Sequence, residues 1–203
     1  MEDLSFRLEK SALLIIDMQN AFISKDGSLS KMGLDTSRTL KVIDPIKRLK
    51  KEFKRCGRPV IYLQHIHRPD KMDAGLISEV FPQIMELGHC FEGSWDADII
   101  DDLKPENDDY VVKKHRFSGF YHTELDDVLR SLDIKILVVS GVATNVCVES
   151  TVRDAFYRDY NVFVPRETTV SFAEEFEKGS FANFEFAFAR VLSIDEMIKL
   201  LGK

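Results

Sequence analysis

The segment "ILVVSGVATNVCVESTVRDAFYRDY", residues 136–160, decides the fold and raises a chemical question. Together with the preceding Ile134 and Lys135 it opens with the run "IKILVVS" (134–140), which is apolar almost without interruption. A strand with that pattern is buried on both faces. Small residues then form a turn, and from about 145 to 159 the apolar positions follow a helical period. Strand, turn and helix in that order belong to a parallel sheet with crossover helices. The turn also places a single cysteine, Cys147, at the helix start, either as a small core residue or as a reactive thiol.

The same alternation extends in both directions. Ahead of the segment lie "SALLIID" (11–17), a helix near 36–56, "PVIYLQ" (59–64), "YVVK" (110–113) and a helix near 123–132. After it come "NVFV" (161–164), a Phe-rich helix, a short strand near "RVLS" and a last helix opened by the capping box Ser193-x-x-Glu196. This pattern predicts a three-layer α/β/α fold with a central, mostly parallel sheet of about six strands. No repeat, low-complexity linker or composition break divides the chain, so one domain is expected over residues 1–203. Residues 65–109 are the least regular and carry Gly75, Gly88, Gly93, Pro82 and Pro105. They are expected to pass over the strand ends as a lid or an interface.

Composition removes several classes of function. A net charge of −6 with interspersed signs provides no basic stripe for nucleic acid. No apolar run approaches the ~18 residues of a membrane span, and the charged start "MEDLSFRLEK" lacks a signal-peptide core. Cys56, Cys90 and Cys147 show no CxxC spacing, which argues for reduced thiols rather than a disulfide framework or a zinc module. A cytoplasmic protein acting on a small molecule is the expectation.

Ligands of such sheets bind beyond the carboxyl ends of the strands. Three reactive side chains fall there. Asp17 ends the first strand, as an N-cap or as a general base. Lys113 and Lys114 end the third, and because neighbours in a strand face opposite ways, one of them faces inward. Cys147 follows the opening strand, where unpaired helical N–H groups and the helix dipole favour a thiolate. A thiol, an ammonium and a carboxylate are the requirements of nucleophilic acyl transfer. Backbone N–H groups at the helix start, approached through the small residues of "GVAT", supply an oxyanion site.

On these residues the chain resembles the isochorismatase-like cysteine hydrolase superfamily, which includes nicotinamidases, N-carbamoylsarcosine amidase, isochorismatases and ureidoacrylate amidohydrolase. "LLIIDMQNAF" looks like its first-strand motif, which implies Asp17 as base. "KKHRFSGFYHTELDDVL" looks like its lysine motif and implies Lys114 rather than Lys113. "GVATNVCVESTVRDAF" looks like its nucleophile motif and implies Cys147 as the attacking thiolate. The resemblance further implies a cis peptide between Val142 and Ala143, with the Ala143 and Cys147 N–H groups forming the oxyanion hole. Homodimers or homotetramers are common in the family.

"GSWDADIIDDLKPENDDYVVKKHRFSGF" is closest in wording to the ureidoacrylate amidohydrolase branch, which implies hydrolysis of a carboxamide, ureido or carbamoyl C–N bond. Asn20, Phe22, Ser118 and Asn145 are the candidates for shaping the pocket, and Trp95 is either a core anchor or a pocket wall. Isochorismatase chemistry is disfavoured by Cys147, because that branch lacks the nucleophilic cysteine. A non-catalytic scaffold, suggested by "SFANFEFAFARV", is disfavoured by the intact Asp17, Lys114 and Cys147. Nicotinamidases carry Asp-x-His for a metal where this chain has His65-Ile66-His67. No cofactor is therefore expected. Zinc or iron on His65 and His67, with His89 and Cys90 conceivable as further ligands, remains the alternative, as a nicotinamidase with a remodelled metal site.

Overall fold

Successive residues of the central strands face opposite ways, and both sides are apolar. In β1 (Ser11–Ile16), Leu13 and Ile15 pack into one core, whereas Ala12, Leu14 and Ile16 pack into the other. β2 (Val60–His65) and β4 (Ile136–Val142) divide in the same way: Val60, Tyr62, Ile136 and Val138 against Ile61, Leu63, Leu137 and Val139. A two-residue side-chain period with helices on both faces produces the uninterrupted apolar runs of the sequence.

The computed structural model describes residues 8–202. The remaining strands are β3 (Tyr110–Lys114), β5 (Asn161–Pro165), β6 (Thr169–Val170) and β7 (Arg190–Leu192). They are ordered β3-β2-β1-β4-β5-β7, with β6 paired to the end of β4, and every pairing is parallel. The sheet thus has seven strands rather than about six. The additional one, β6, has only two residues, too few for any pattern to reveal.

The longer α-helices are α1 (Ile43–Arg55), α2 (Leu125–Ser131), α3 (Glu149–Phe156), α4 (Glu174–Asn183) and α5 (Ile194–Leu201). On one face of the sheet, α1 buries Ile46, Leu49 and Phe53 and α5 buries Ile194, Met197 and Leu201. On the other, α2 contributes Leu125 and Leu129, and α3 contributes Val152 and Ala155. The helix expected over 36–56 is two elements, a 3₁₀ segment Thr36–Val42 and then α1. Pro45 has no N–H to give to the Lys41 carbonyl, so a regular α-helix tolerates it only in its first turn, where α1 places it. The capping box of α5 is formed: Ser193 Oγ accepts from the Glu196 N–H at 3.2 Å, and the Glu196 carboxylate accepts from the Ser193 N–H at 2.8 Å. Among the described residues no helix is long and apolar enough to cross a membrane.

From β1 the chain builds outward through β2 and β3, then returns to the other side of β1 to lay down β4. The crevice beyond the carboxyl ends of β1 and β4 is therefore the topological switch point, the ordinary ligand position of an open α/β sheet. Gly141 sets how closely these two ends approach. Its φ is +110°, and a Cβ placed there would lie 2.0 Å from the Ile16 carbonyl oxygen. Gly141→Ala should lower the unfolding free energy by about 2–4 kcal/mol, through backbone strain and overpacking together. Urea denaturation monitored by circular dichroism measures this, and an unchanged midpoint would mean that the two strand ends can separate.

Candidate active site

Asp17 follows β1 with a left-handed backbone, φ 52°, and its N–H donates to the Leu63 carbonyl at 3.0 Å. Lys114 ends β3, in register with His65 of β2. Its side chain reaches over the end of β2, and its Nζ lies 2.8 Å from Asp17 Oδ2. Both side chains are fully buried. Lys113, on the opposite face of the strand, is exposed and pairs with Glu92 at 2.6 Å. The pleat thus sends Lys114, not Lys113, inward.

Burial raises the Asp17 pKa above its ordinary value, with the Lys114 charge opposing the rise. Burial acts to lower the Lys114 pKa, but attraction to Asp17 and Cys147 outweighs it and the net shift is upward. The two groups therefore face each other as a buried pair, each the main charge partner of the other. Asp17 Oδ1 has no hydrogen-bond partner among the described residues.

Cys147 does not lie in a regular first helical turn. The five residues Thr144–Val148 form one wide turn leading into α3, in which the Val148 N–H donates to the Ala143 carbonyl at 3.2 Å, five residues back. Such widened turns occur frequently at functional sites. The Val142–Ala143 peptide is cis. Cys147 Sγ, an Asp17 carboxylate oxygen and a His65 ring nitrogen all lie within 4.8 Å of one another. The expectation of a lowered thiol pKa is corrected here: burial, followed by the Asp17 charge, pushes it up, and Lys114 only partly opposes this. The resting group is a neutral thiol beside a carboxylate with an unpaired oxygen, a pair suited to exchange one proton.

His65 and His67 are drawn into this polar cluster. His65 Nδ1 lies 3.2 Å from Lys114 Nζ, and its Nε2 lies 2.8 Å from His67 Nε2. Both His65 ring nitrogens are engaged, and the nearest convergence of metal-type donors around it uses Asp17 and Cys147 themselves. In this arrangement each His65 ring nitrogen faces a protein nitrogen, Lys114 Nζ on one side and His67 Nε2 on the other. His89 and Cys90 group instead with Asp96, and Ser28 Oγ joins His89 Nδ1 at 2.6 Å to Asp96 Oδ2 at 2.7 Å. Sequence reasoning missed Gln19. Its buried amide donates to the His65 and Ala97 carbonyls, both at 2.8 Å, and accepts from the His65 N–H at 2.8 Å. It fastens the end of β2 to the irregular segment; its only signal was its place in "DMQN" beside Asp17.

A cavity of about 250 Å³ opens beside Cys147. Ala143, Val146 and Cys147 line its floor, and Phe22, Leu29, Met32, Leu34, Phe117 and Phe172 line much of its wall. Ile77, Phe81, Ile84 and His89 come from the irregular segment, which does pass over the strand ends. Phe22 alone of the five expected pocket residues lines this cavity. Asn20 turns its amide to the Trp95 carbonyl at 2.8 Å. Trp95 is 52% exposed, neither core anchor nor wall. Ser118 donates to the Asp154 carboxylate and accepts from the Phe120 N–H, tying the loop after Lys114 to α3. Asn145 accepts a hydrogen bond from Ser171 outside the cavity wall. In each case a nearer polar partner takes the side chain away from the cavity or leaves it in solvent.

The Isochorismatase domain family matches residues 11–196, and the chain belongs to that family. Ureidoacrylate amidohydrolase RutB of Yersinia enterocolitica is 35% identical over 207 residues, 96% of this chain and 90% of that relative. Among solved structures, a cysteine hydrolase from Pseudomonas syringae pv. phaseolicola superposes with a TM-score of 0.89 at 29% identity, over 96% of this chain and 93% of that one. N-carbamoylsarcosine amidase from Thermoplasma acidophilum gives a TM-score of 0.76 at 32% identity, over 92% of this chain and 97% of that one.

Removing one member of the Lys114–Asp17 pair leaves the other charge buried alone. Asp17→Leu and Lys114→Met should each lower the unfolding free energy by about 3–5 kcal/mol, and the double variant should recover most of the loss. Urea titration at pH 7 tests this, and single variants as stable as the parent would show that the charges are relieved by some other route.

Proposed function

We propose that this chain is a cysteine-dependent amidohydrolase that cleaves a carboxamide, ureido or carbamoyl C–N bond of a small molecule, using Cys147, Asp17 and Lys114. The observation that carries this reading is the Asp17 carboxylate within 4.8 Å of the Cys147 thiol, with Lys114 Nζ held on the same carboxylate at 2.8 Å. The names of the Yersinia and Thermoplasma relatives support the linkage: one is a ureidoacrylate amidohydrolase, the other an N-carbamoylsarcosine amidase.

In the proposed cycle Asp17 takes the thiol proton as sulfur attacks the carbonyl carbon. The Ala143 and Cys147 N–H groups stabilise the oxygen as it becomes negative. Asp17 then gives its proton to the nitrogen, the C–N bond breaks, and ammonia or an amine leaves a thioester or thiocarbamate on Cys147. Water loses a proton to Asp17 and attacks that carbonyl. The sulfur departs and recovers the proton from Asp17, releasing the acid. Lys114 remains charged throughout and offsets the negative charge of the carboxylate or the sulfur. The whole chain, residues 1–203, acts as one domain in this reading. A cytoplasmic location is in keeping with three free cysteines, and assembly as a homodimer or homotetramer with the family habit.

Cys147→Ala should abolish ammonia release from carboxamides and ureido compounds while leaving the circular dichroism spectrum unchanged; retained hydrolysis would overturn the assignment. The pH profile of kcat/KM carries a second test. Asp17 must be ionised to act as base and its pKa is raised, so activity should fall on acidification at a pH above the ordinary carboxylate value of 3.8. The thiol and the ammonium are both shifted upward from ordinary values of 9.0 and 10.5, so the plateau should extend to at least pH 9. An alkaline limb below pH 8 would instead indicate a free thiolate at rest.

A further inference from the structure

The amidohydrolase reading leaves the rest of the substrate unspecified, and the inference here rests on that reading. Of the residues that line the cavity beside Cys147, only His65, His89 and Cys147 carry polar side-chain groups. A substrate acid would need a cation in that wall, because a buried carboxylate without a partner is costly. No lysine or arginine lines the cavity. Lys114 holds Asp17. Arg38 holds Glu177 and the Ser171 carbonyl, and Arg116 donates to the Asp73 and His115 carbonyls. Burial lowers the pKa of both lining histidines, His89 to about 4 and His65 well below its ordinary value, with the Lys114 charge adding to the latter. Neither is a cation at neutral pH. Asp17, close behind the sulfur, adds repulsion toward a second anion.

We infer that the group entering this cavity is uncharged and apolar, aliphatic or aromatic, so that the substrate is a neutral amide or urea and not a ureido acid. Leu34 and Phe81, about 40% exposed, carry the apolar wall out to the surface. The inference separates this chain from the substrate in the Yersinia relative's name while keeping the cleaved bond.

Two matched pairs test it: pentanamide against succinamate, and butylurea against 3-ureidopropanoate, each pair sharing its linkage and differing in a carboxylate. kcat/KM, read as ammonia release, should favour the neutral member by about 100-fold or more. Met32→Arg, which puts a cation into the wall, should narrow that ratio by at least about tenfold. Equal or better turnover of the acids would overturn the inference and leave amide hydrolysis standing. Binding of the same compounds to Cys147→Ala protein, followed by ligand-observed NMR, separates the two claims. Preferential binding of pentanamide and butylurea with no turnover by the parent enzyme would sink amide hydrolysis and uphold the apolar cavity. Binding without preference, or in favour of the acids, would overturn the cavity assignment.

Discussion

The buried contact between Lys114 and Asp17 constrains everything around it. Two full charges, both at zero exposure, persist only because each neutralises the other at 2.8 Å. They come from strands that are not neighbours: Lys114 ends β3 and Asp17 follows β1, with β2 between them. For the side chains to meet, β2 must end at that level, and His65 then lies directly beneath the lysine. Burial, and after it the Lys114 charge, holds the His65 pKa well below its ordinary value, and the ring shares a hydrogen bond with His67. Gln19, gripping His65 through both its N–H and its carbonyl, keeps the end of β2 from drifting out of this arrangement.

Burial, and after it the same pair, sets the state of the thiol. Two effects compete at Cys147. A helix start favours an anion by about 0.3–1 kcal/mol, and by at most about 2 when partly buried. Desolvation of an ion in a protein interior costs several kcal/mol, and the adjacent Asp17 carboxylate adds to that. Burial wins, so the thiol keeps its proton until a substrate arrives. In the proposed cycle the positive charge of Lys114 therefore matters most during attack, when the proton has passed to Asp17 and the sulfur carries the negative charge.

The sheet, the two-sided core and the strand-end placement of Asp17, Lys114 and Cys147 were legible because they are local patterns: apolar runs, small-residue turns and residue types at fixed offsets. The choice between Lys113 and Lys114 followed from a resemblance and agrees with the pleat. What was not legible depends on partners distant in sequence. Ser118 has a hydroxyl at a suggestive position, but Asp154, 36 residues on, takes it. Trp95, a large aromatic suited to a wall or an anchor, is about half exposed, its backbone carbonyl held by Asn20. The histidines looked like ligands because spacing shows two imidazoles on one face; it does not show the lysine that occupies one of them.

Reaction and specificity come from different parts of the chain. The groups that would break a C–N bond stand on the ends of β1, β3 and β4, where register fixes them to one another. Much of the cavity wall comes from segments around residues 29–34 and 77–89, which the sheet does not position. The first of these packs Leu29 into the main core, whereas the second has a small core of its own, with Ile77 and Met85 against Ala74. Side chains there can change from cationic to apolar without disturbing the ion pair beneath, since none of them contributes a charge to it. An overall identity of 35% to an enzyme acting on an acid therefore bears on the strand ends far more than on the wall, and the wall has to be read from its own residues.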